Sequence, residues 1–305
     1  MKQSERKKVQ SILENIRKQH NILESLPEKE VFALLEENQG TIIELGNYVE
    51  QNMGQTAPFI RMLEEYCELV YQMFQSMKKN NRLQAAVENE RAGKKLEQAE
   101  DYYVKHLLYR KYEILFLPYK AAMWDSMESI YLAAVQNSKC RVSVMPVPYY
   151  LLEDGKKTAV YEGNRFPEGL PIVDAYQYKL KEERPDVIFI HNPYDGYNRV
   201  TRVEEQFYSS ELIKYTSHLC YVPYDVVNEN SFNETYCIVP GVRNAWKIFV
   251  QSEKLREIYA KYVGADKVVA LGSPKIDKIL KGRNGVTVPM QWEKVIGTKT
   301  VFLLN

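Results

Sequence analysis

Two hydrophobic periods divide the chain. Up to about residue 109, apolar side chains recur every three or four positions, the spacing of one helix face. Val9, Ile12, Leu13, Ile16 and Leu23 form the first stripe. "SLPEKE" at 25–30 reads as a helix start, with Ser25 as cap and Pro27 in the first turn. Val31, Leu34, Leu35, Ile42 and Leu45 continue the pattern, and "GQTAPF" at 54–59 interrupts it. Ile60, Leu63, Cys67, Val70, Tyr71, Phe74 and Met77 make the next stripe. After a turn at "KKNNR" (78–82), a charged helix runs from about 83 to 109. Three or four amphipathic helices predict an all-helical bundle or hairpin over 1–109, serving as an oligomerisation or docking module or as a stabilising cap.

Beyond residue 110 short β-rich runs alternate with helical ones. Strands are predicted at "YEILFLPY" (112–119), "CRVSVMPVPYY" (140–150), "DVIFIHNPY" (186–194), "LCYVPY" (219–224), "NAWKIFVQS" (244–252) and "KVVALGSP" (267–274). Helices are predicted at 123–136, 203–217, 252–264 and 275–282, with a hairpin at "GKKTAV" (155–160). This alternation is the pattern of an α/β fold, a Rossmann-like doubly wound parallel sheet over 110–298. "KTVFLLN" (299–305) reads as one more strand, and its position suggests the start of a further domain.

Composition narrows the classes. The 305 residues are 45% hydrophobic and 27% charged, enough for a sizeable core. Lys plus Arg (41) nearly balances Asp plus Glu (40), so no overall basic field points to nucleic acid. Cys67, Cys140, Cys220 and Cys237 are scattered with no CxxC pair, which predicts no metal site and a reducing, cytoplasmic setting. No signal peptide is read at the start, and no apolar run approaches the roughly 20 residues of a membrane span.

The chemistry gathers where strands end. In "DVIFIHNPYDGYNR" (186–199) the apolar run passes directly into His191, Asn192, Pro193, Tyr194 and Asp195. Pro193 cannot donate to a sheet ladder, so the strand must stop there. Other strands deliver Lys120, Trp124, Asp125 and Ser126; Tyr149; Tyr224; and Ser273 with Lys275. Singly, Asp125, Ser126 and Ser273 read as helix caps, the tyrosines as packing, and His191 as a side chain bonded to a loop carbonyl. In a parallel sheet, however, all fall on the carboxyl edge, where α/β folds bind ligands. That shared location predicts a cleft with His191 at its mouth, and with Trp124, Tyr149, Tyr194 and Tyr224 as apolar and stacking surface.

"FLPYKAAMWDSMESIYLAA", "DVIFIHNPYD", "YVPY" and "IFVQSEKLREIYAKYVGADKVVALGSPKIDK" together resemble the CDP-glycerol glycerophosphotransferase-like family of teichoic-acid polymerases and primases. "LGSPKID" is similar to that family's Gly-x-Pro-(Arg/Lys)-x-Asp motif. The resemblance covers residues 110–305 and implies the N-terminal, acceptor-binding half of a GT-B architecture, with a C-terminal donor domain to follow. It implies transfer of glycerol phosphate, or a related polyol phosphate, from a CDP-alcohol to a polyol-phosphate or glycan acceptor of the bacterial cell envelope, with no further cofactor. The setting implied is cytoplasmic, at the inner membrane face. Family members carry a His-Gly-Thr motif whose His acts as base; here the matching strand end reads "YVPYDVV". The base then either moves to His191 or is absent; Asp195 either orients His191 or is a turn residue, and Lys120 and Lys275 are the candidate cations. The alternatives are a GT-B sugar-nucleotide glycosyltransferase or epimerase, and a non-catalytic binding or assembly protein. With the donor half absent, the chain alone is expected to be inactive.

Overall fold

A computed structural model describes residues 1, 3–153, 155–282 and 289–301. The first helices are α1 (Gln3–Asn21), α2 (Glu28–Asn52), α3 (Ala57–Lys78) and α4 (Arg82–Tyr102), extended by a π-helical segment, Tyr103–Leu108. Short loops join them, each helix packs on the next, and α4 closes onto α1, giving a four-helix bundle. Its core is built from the predicted stripes, among them Leu13, Ile16, Leu35, Ile42, Leu63 and Val70. Ser25 is not the cap of α2. Its hydroxyl donates to the Ile22 carbonyl within the preceding turn, and Pro27 stands at the N-cap position.

The second unit begins with β1 (Tyr112–Leu117), α5 (Asp125–Gln136), β2 (Cys140–Val144), β3 (Tyr149–Glu153), β4 (Lys156–Val160), α6 (Leu180–Glu183) and β5 (Val187–Ile190). It continues with β6 (Thr201–Val203), α7 (Ser209–Leu212), β7 (Leu219–Tyr221), α8 (Pro240–Asn244), β8 (Lys247–Val250), α9 (Glu253–Val263), β9 (Val268–Ala270), α10 (Pro274–Gly282) and α11 (Met290–Ile296). Six strands form an all-parallel sheet in the order β2-β1-β5-β7-β8-β9. Alternate residues serve opposite faces, as the pleat requires. Leu115, Leu117, Ile188 and Ile190 pack on the side covered by α9, and Phe116 and Phe189 on the side covered by α5. The fold is therefore α/β and Rossmann-like, preceded by a helical bundle.

Three local readings change. The predicted strand 140–150 is two, because Pro146 and Pro148 cannot donate to a ladder, and Tyr149 opens a small antiparallel sheet, β4-β3-β6. The predicted helix 203–217 is mostly not helical: β6 takes its first residue and α7 begins only at Ser209, whose backbone N–H is captured by Asp195. At the C-terminal end, Lys299–Val301 is not a strand, and 302–305 lie outside the described residues.

A buried carboxylate joins the two units. Asp186, just before β5, faces the Met1 amino group (3.1 Å), the Arg6 guanidinium (3.6 Å) and the Arg110 guanidinium (3.6 Å), and accepts the Glu113 N–H (3.0 Å). Arg110 also donates to the Gly54 carbonyl (2.8 Å). Gly54 is held so close to the α6 backbone that a Cβ would overlap the Glu183 carbonyl.

Candidate functional site

The sheet order reverses between β1 and β5. Outward from that point the chain builds β1-β2 in one direction and β5-β7-β8-β9 in the other. Loops leaving the carboxyl ends of two strands at such a point diverge, and a crevice opens between them. Here those loops are Pro118-Tyr119-Lys120 after β1 and His191-Asn192-Pro193-Tyr194 after β5.

His191 does not stand at the mouth of the crevice. It is fully buried, 0% exposed, beneath the rings of Tyr119 and Tyr224 at 5.4 and 6.2 Å. Its Nε2 accepts the backbone N–H of Tyr119 (3.2 Å), so that nitrogen carries no proton. The neutral ring must then hold its proton on Nδ1, which faces the Ser126 hydroxyl at 3.0 Å. The Ser126 hydroxyl in turn donates to the Met123 carbonyl (2.7 Å). Burial pushes the histidine pKa down to about 3, aided by the nearby Lys275 charge and opposed by the Met123 carbonyl. Its only basic lone pair is occupied by a backbone amide. His191 thus staples the β1 loop to the β5 loop, and the base role expected of it has no free nitrogen.

Asp195 does not orient His191 either. It sits in the left-handed region at φ 48° and turns toward α7, accepting the Ser209 N–H (2.8 Å) and hydroxyl (2.7 Å). Burial raises its pKa while the Ser209 hydrogen bonds hold it down, with a net upward shift. Asn192 is buried, and its Oδ1 closes a tight turn on the Tyr194 N–H (3.2 Å). Trp124, 4% exposed, lies on the α5 side of the sheet among Phe116, Tyr131 and Phe166, so it is core rather than a stacking platform. Asp125 does not cap α5 but pairs with Lys275 across to α10 (3.5 Å). Lys275 also donates to the Tyr224 carbonyl (3.3 Å), which makes it a latch between β7 and α10. Ser273 is buried, lining a smaller cavity with Tyr194 and Asp225.

What the crevice does contain is a cleft of about 940 Å³. Tyr119, Tyr194 and Tyr224 form tyrosine wall, and Lys120, Arg243 and Asn244 add polar groups. The Lys120 ammonium rests 5.6 Å from the Tyr119 ring and 5.7 Å from that of Tyr149, positions that suit cation–π attraction. Tyr149 itself is buried behind the wall and donates to Glu162 (2.7 Å). Burial would raise the Glu162 pKa, but the Tyr149 hydroxyl, the Ala121 N–H and the charges of Arg165 and Lys120 bring it below the usual carboxylate range. Among the described residues, neither Lys120 nor Arg243 is closed into an ion pair.

Arg243 and Asn244 were not singled out by sequence reasoning. Their signal lay in "VPGVRN": Pro240 at the first helical position marks the start of α8. Gly241 then lets α8 touch the β5 loop. Its N–H donates to the Pro193 carbonyl (2.7 Å), and a Cβ there would stand 2.6 Å from the Pro193 Cα. Among the described residues no group of three His, Cys, Asp or Glu could hold a metal ion. No described helix is long and apolar enough to cross a membrane. No family model, curated protein or solved structure matches the chain.

Proposed function

We propose that this chain is the acceptor-binding part of a transferase that moves glycerol phosphate, or a related polyol phosphate, from a CDP-alcohol to a polyol-phosphate or glycan acceptor of the cell envelope. The observation that carries the reading is the cleft at the carboxyl edge, with two cations that form no ion pair among the described residues set in tyrosine walls. Polyol-phosphate chains offer what those groups take: phosphates for Lys120 and Arg243, and hydroxyl-bearing carbon for tyrosine faces. Orientation of the acceptor is then this chain's contribution, and the nucleotide is held by a donor domain facing the cleft. The reading places the protein in the cytoplasm at the inner face of the membrane. Because His191 offers no free nitrogen, one observation favours a second reading, a binding or assembly module on the same fold.

Titration calorimetry with a short glycerol-phosphate oligomer tests the shared core of both. Saturable binding is expected, weakened about tenfold or more by Lys120→Ala and by Arg243→Ala, as loss of a charged contact predicts. No binding, or binding indifferent to both substitutions, overturns the proposal. Release of CMP from a CDP-alcohol, assayed with acceptor and with the donor domain present, then separates the enzyme from the binding module.

A further inference from the structure

The helical unit has a cavity of its own. It measures about 500 Å³, within the range of small-molecule sites, and opens between the α1–α2 turn, the end of α3 and the start of α4. Leu26, Val31, Met73 and Met77 give it an apolar lining, and methionine adapts readily to unbranched ligands.

One corner is polar, and it is incomplete. Asn89 lines the cavity and is only 9% exposed. Its Nδ2 donates to the Glu24 carboxylate (3.2 Å), which fixes the amide orientation, since the reverse would set Oδ1 against an anion. Its backbone carbonyl is engaged by His20 Nε2 (3.0 Å). The amide Oδ1 is left buried with no partner among the described residues. An unmet buried acceptor is destabilising, so a donor arriving there is favoured. The charges around the opening are Glu24 and Glu28 against Arg82, a net negative rim.

We propose that this cavity binds an amphiphile made of an unbranched apolar chain ending in a primary ammonium. The ammonium donates a hydrogen bond to Asn89 Oδ1 beside the Glu24 carboxylate, and the chain lies against the leucine, valine and methionine side chains. The proposal is independent of the function assigned to the α/β cleft.

Decylammonium, decanoate and 1,10-diaminodecane, each below its aggregation concentration, test it by calorimetry on the whole chain. Decylammonium should bind saturably at one site per chain. Decanoate should bind at least about tenfold more weakly, because it meets Glu24 and Glu28 and brings no donor. The diamine separates a lipid-type amine from a free polyamine. Its second ammonium must enter the apolar lining, so weaker binding is expected, and equal or tighter binding overturns the single-headed ligand. Ala86→Trp, at an exposed position on the lining, should block the cavity without touching the bundle core. Asn89→Leu should weaken decylammonium about tenfold. Absence of saturable binding, equal affinity for decanoate, or indifference to Ala86→Trp overturns the proposal, and the Asn89 oxygen is then met by water alone.

Discussion

His191 in the α/β unit and His20 in the bundle are both buried, and burial lowers the pKa of each. They differ in what surrounds the ring. His191 accepts at Nε2 from an amide and faces a hydroxyl with Nδ1, so both nitrogens are matched. His20 donates from Nε2 to a carbonyl, so its lone pair lies on Nδ1, which has no partner. The two rings therefore hold opposite tautomers. Around His191 the polar groups close on one another and fix two loops. Around His20, two buried polar atoms, Asn89 Oδ1 and His20 Nδ1, are left unmatched among the described residues, and Asn89 lines a cavity. A buried histidine, taken alone, does not mark a ligand site; the better mark is a buried polar atom still lacking its partner.

The largest effect that sharpens the comparison is on stability against pH. A histidine whose pKa is lowered by folding stays neutral in the native state, while the unfolded chain takes up a proton below about 6.5. Stability is therefore complete above that pH and falls as pH drops toward 3, the value reached by His191. Denaturant titrations between pH 7 and 5 should show a loss of up to about 1.4 kcal/mol per pH unit from His191, with His20 adding in the same direction. The double variant His20→Leu, His191→Leu should be flat by comparison. An unchanged slope would mean that neither ring is buried neutral.

Next come the single variants at neutral pH. His191→Leu orphans the Tyr119 N–H and removes a partner of Ser126, and should cost roughly 2–4 kcal/mol. His20→Leu orphans one carbonyl but also removes an unmatched nitrogen, and should cost about 1 kcal/mol or less. Equal costs would erase the distinction, and nitrogen chemical shifts that gave both rings the same tautomer would break it directly.

The smallest effect is at glycine. Gly40, within α2, has nothing within 4 Å of a built Cβ, so Gly40→Ala should stabilise the protein by roughly 0.5–1 kcal/mol in thermal or denaturant unfolding. Gly241→Ala should do the reverse, since its Cβ meets backbone rather than a movable side chain. Destabilisation by both would point to tighter packing around α2 than described.

The parts of the fold legible in the sequence are those set by period. Stripes such as Leu13 with Ile16, and Ile42 with Leu45, are local patterns that burial preserves. The run Val187–Ile190 was legible as a strand covered on both faces for the same reason. Boundaries set by distant partners were not legible. Ser209, not Val203, starts α7 because Asp195 comes to it from another loop. In the site, the carboxyl-edge location could be read, but the direction of each side chain could not. Trp124 went to the core on the opposite face, His191 beneath its neighbours, and Arg243 arrived through a glycine contact with Pro193. Each depends on a backbone approach that no single stretch encodes.

The cluster at Asp186 has a consequence for the order in which the protein is made. Met1 and Asp186 are 185 residues apart in the chain. At about 5–20 residues per second, a ribosome needs roughly 10–40 s to bring out the carboxylate after Arg6. The bundle's own contacts are mostly between neighbouring helices, so it can assemble in that interval. Its inner cations then wait in water for a counter-charge that belongs to the last residue before β5. Closure of the joint is thus a late, long-range step, and a nascent chain halted before Asp186 would carry a formed bundle with its docking face still hydrated.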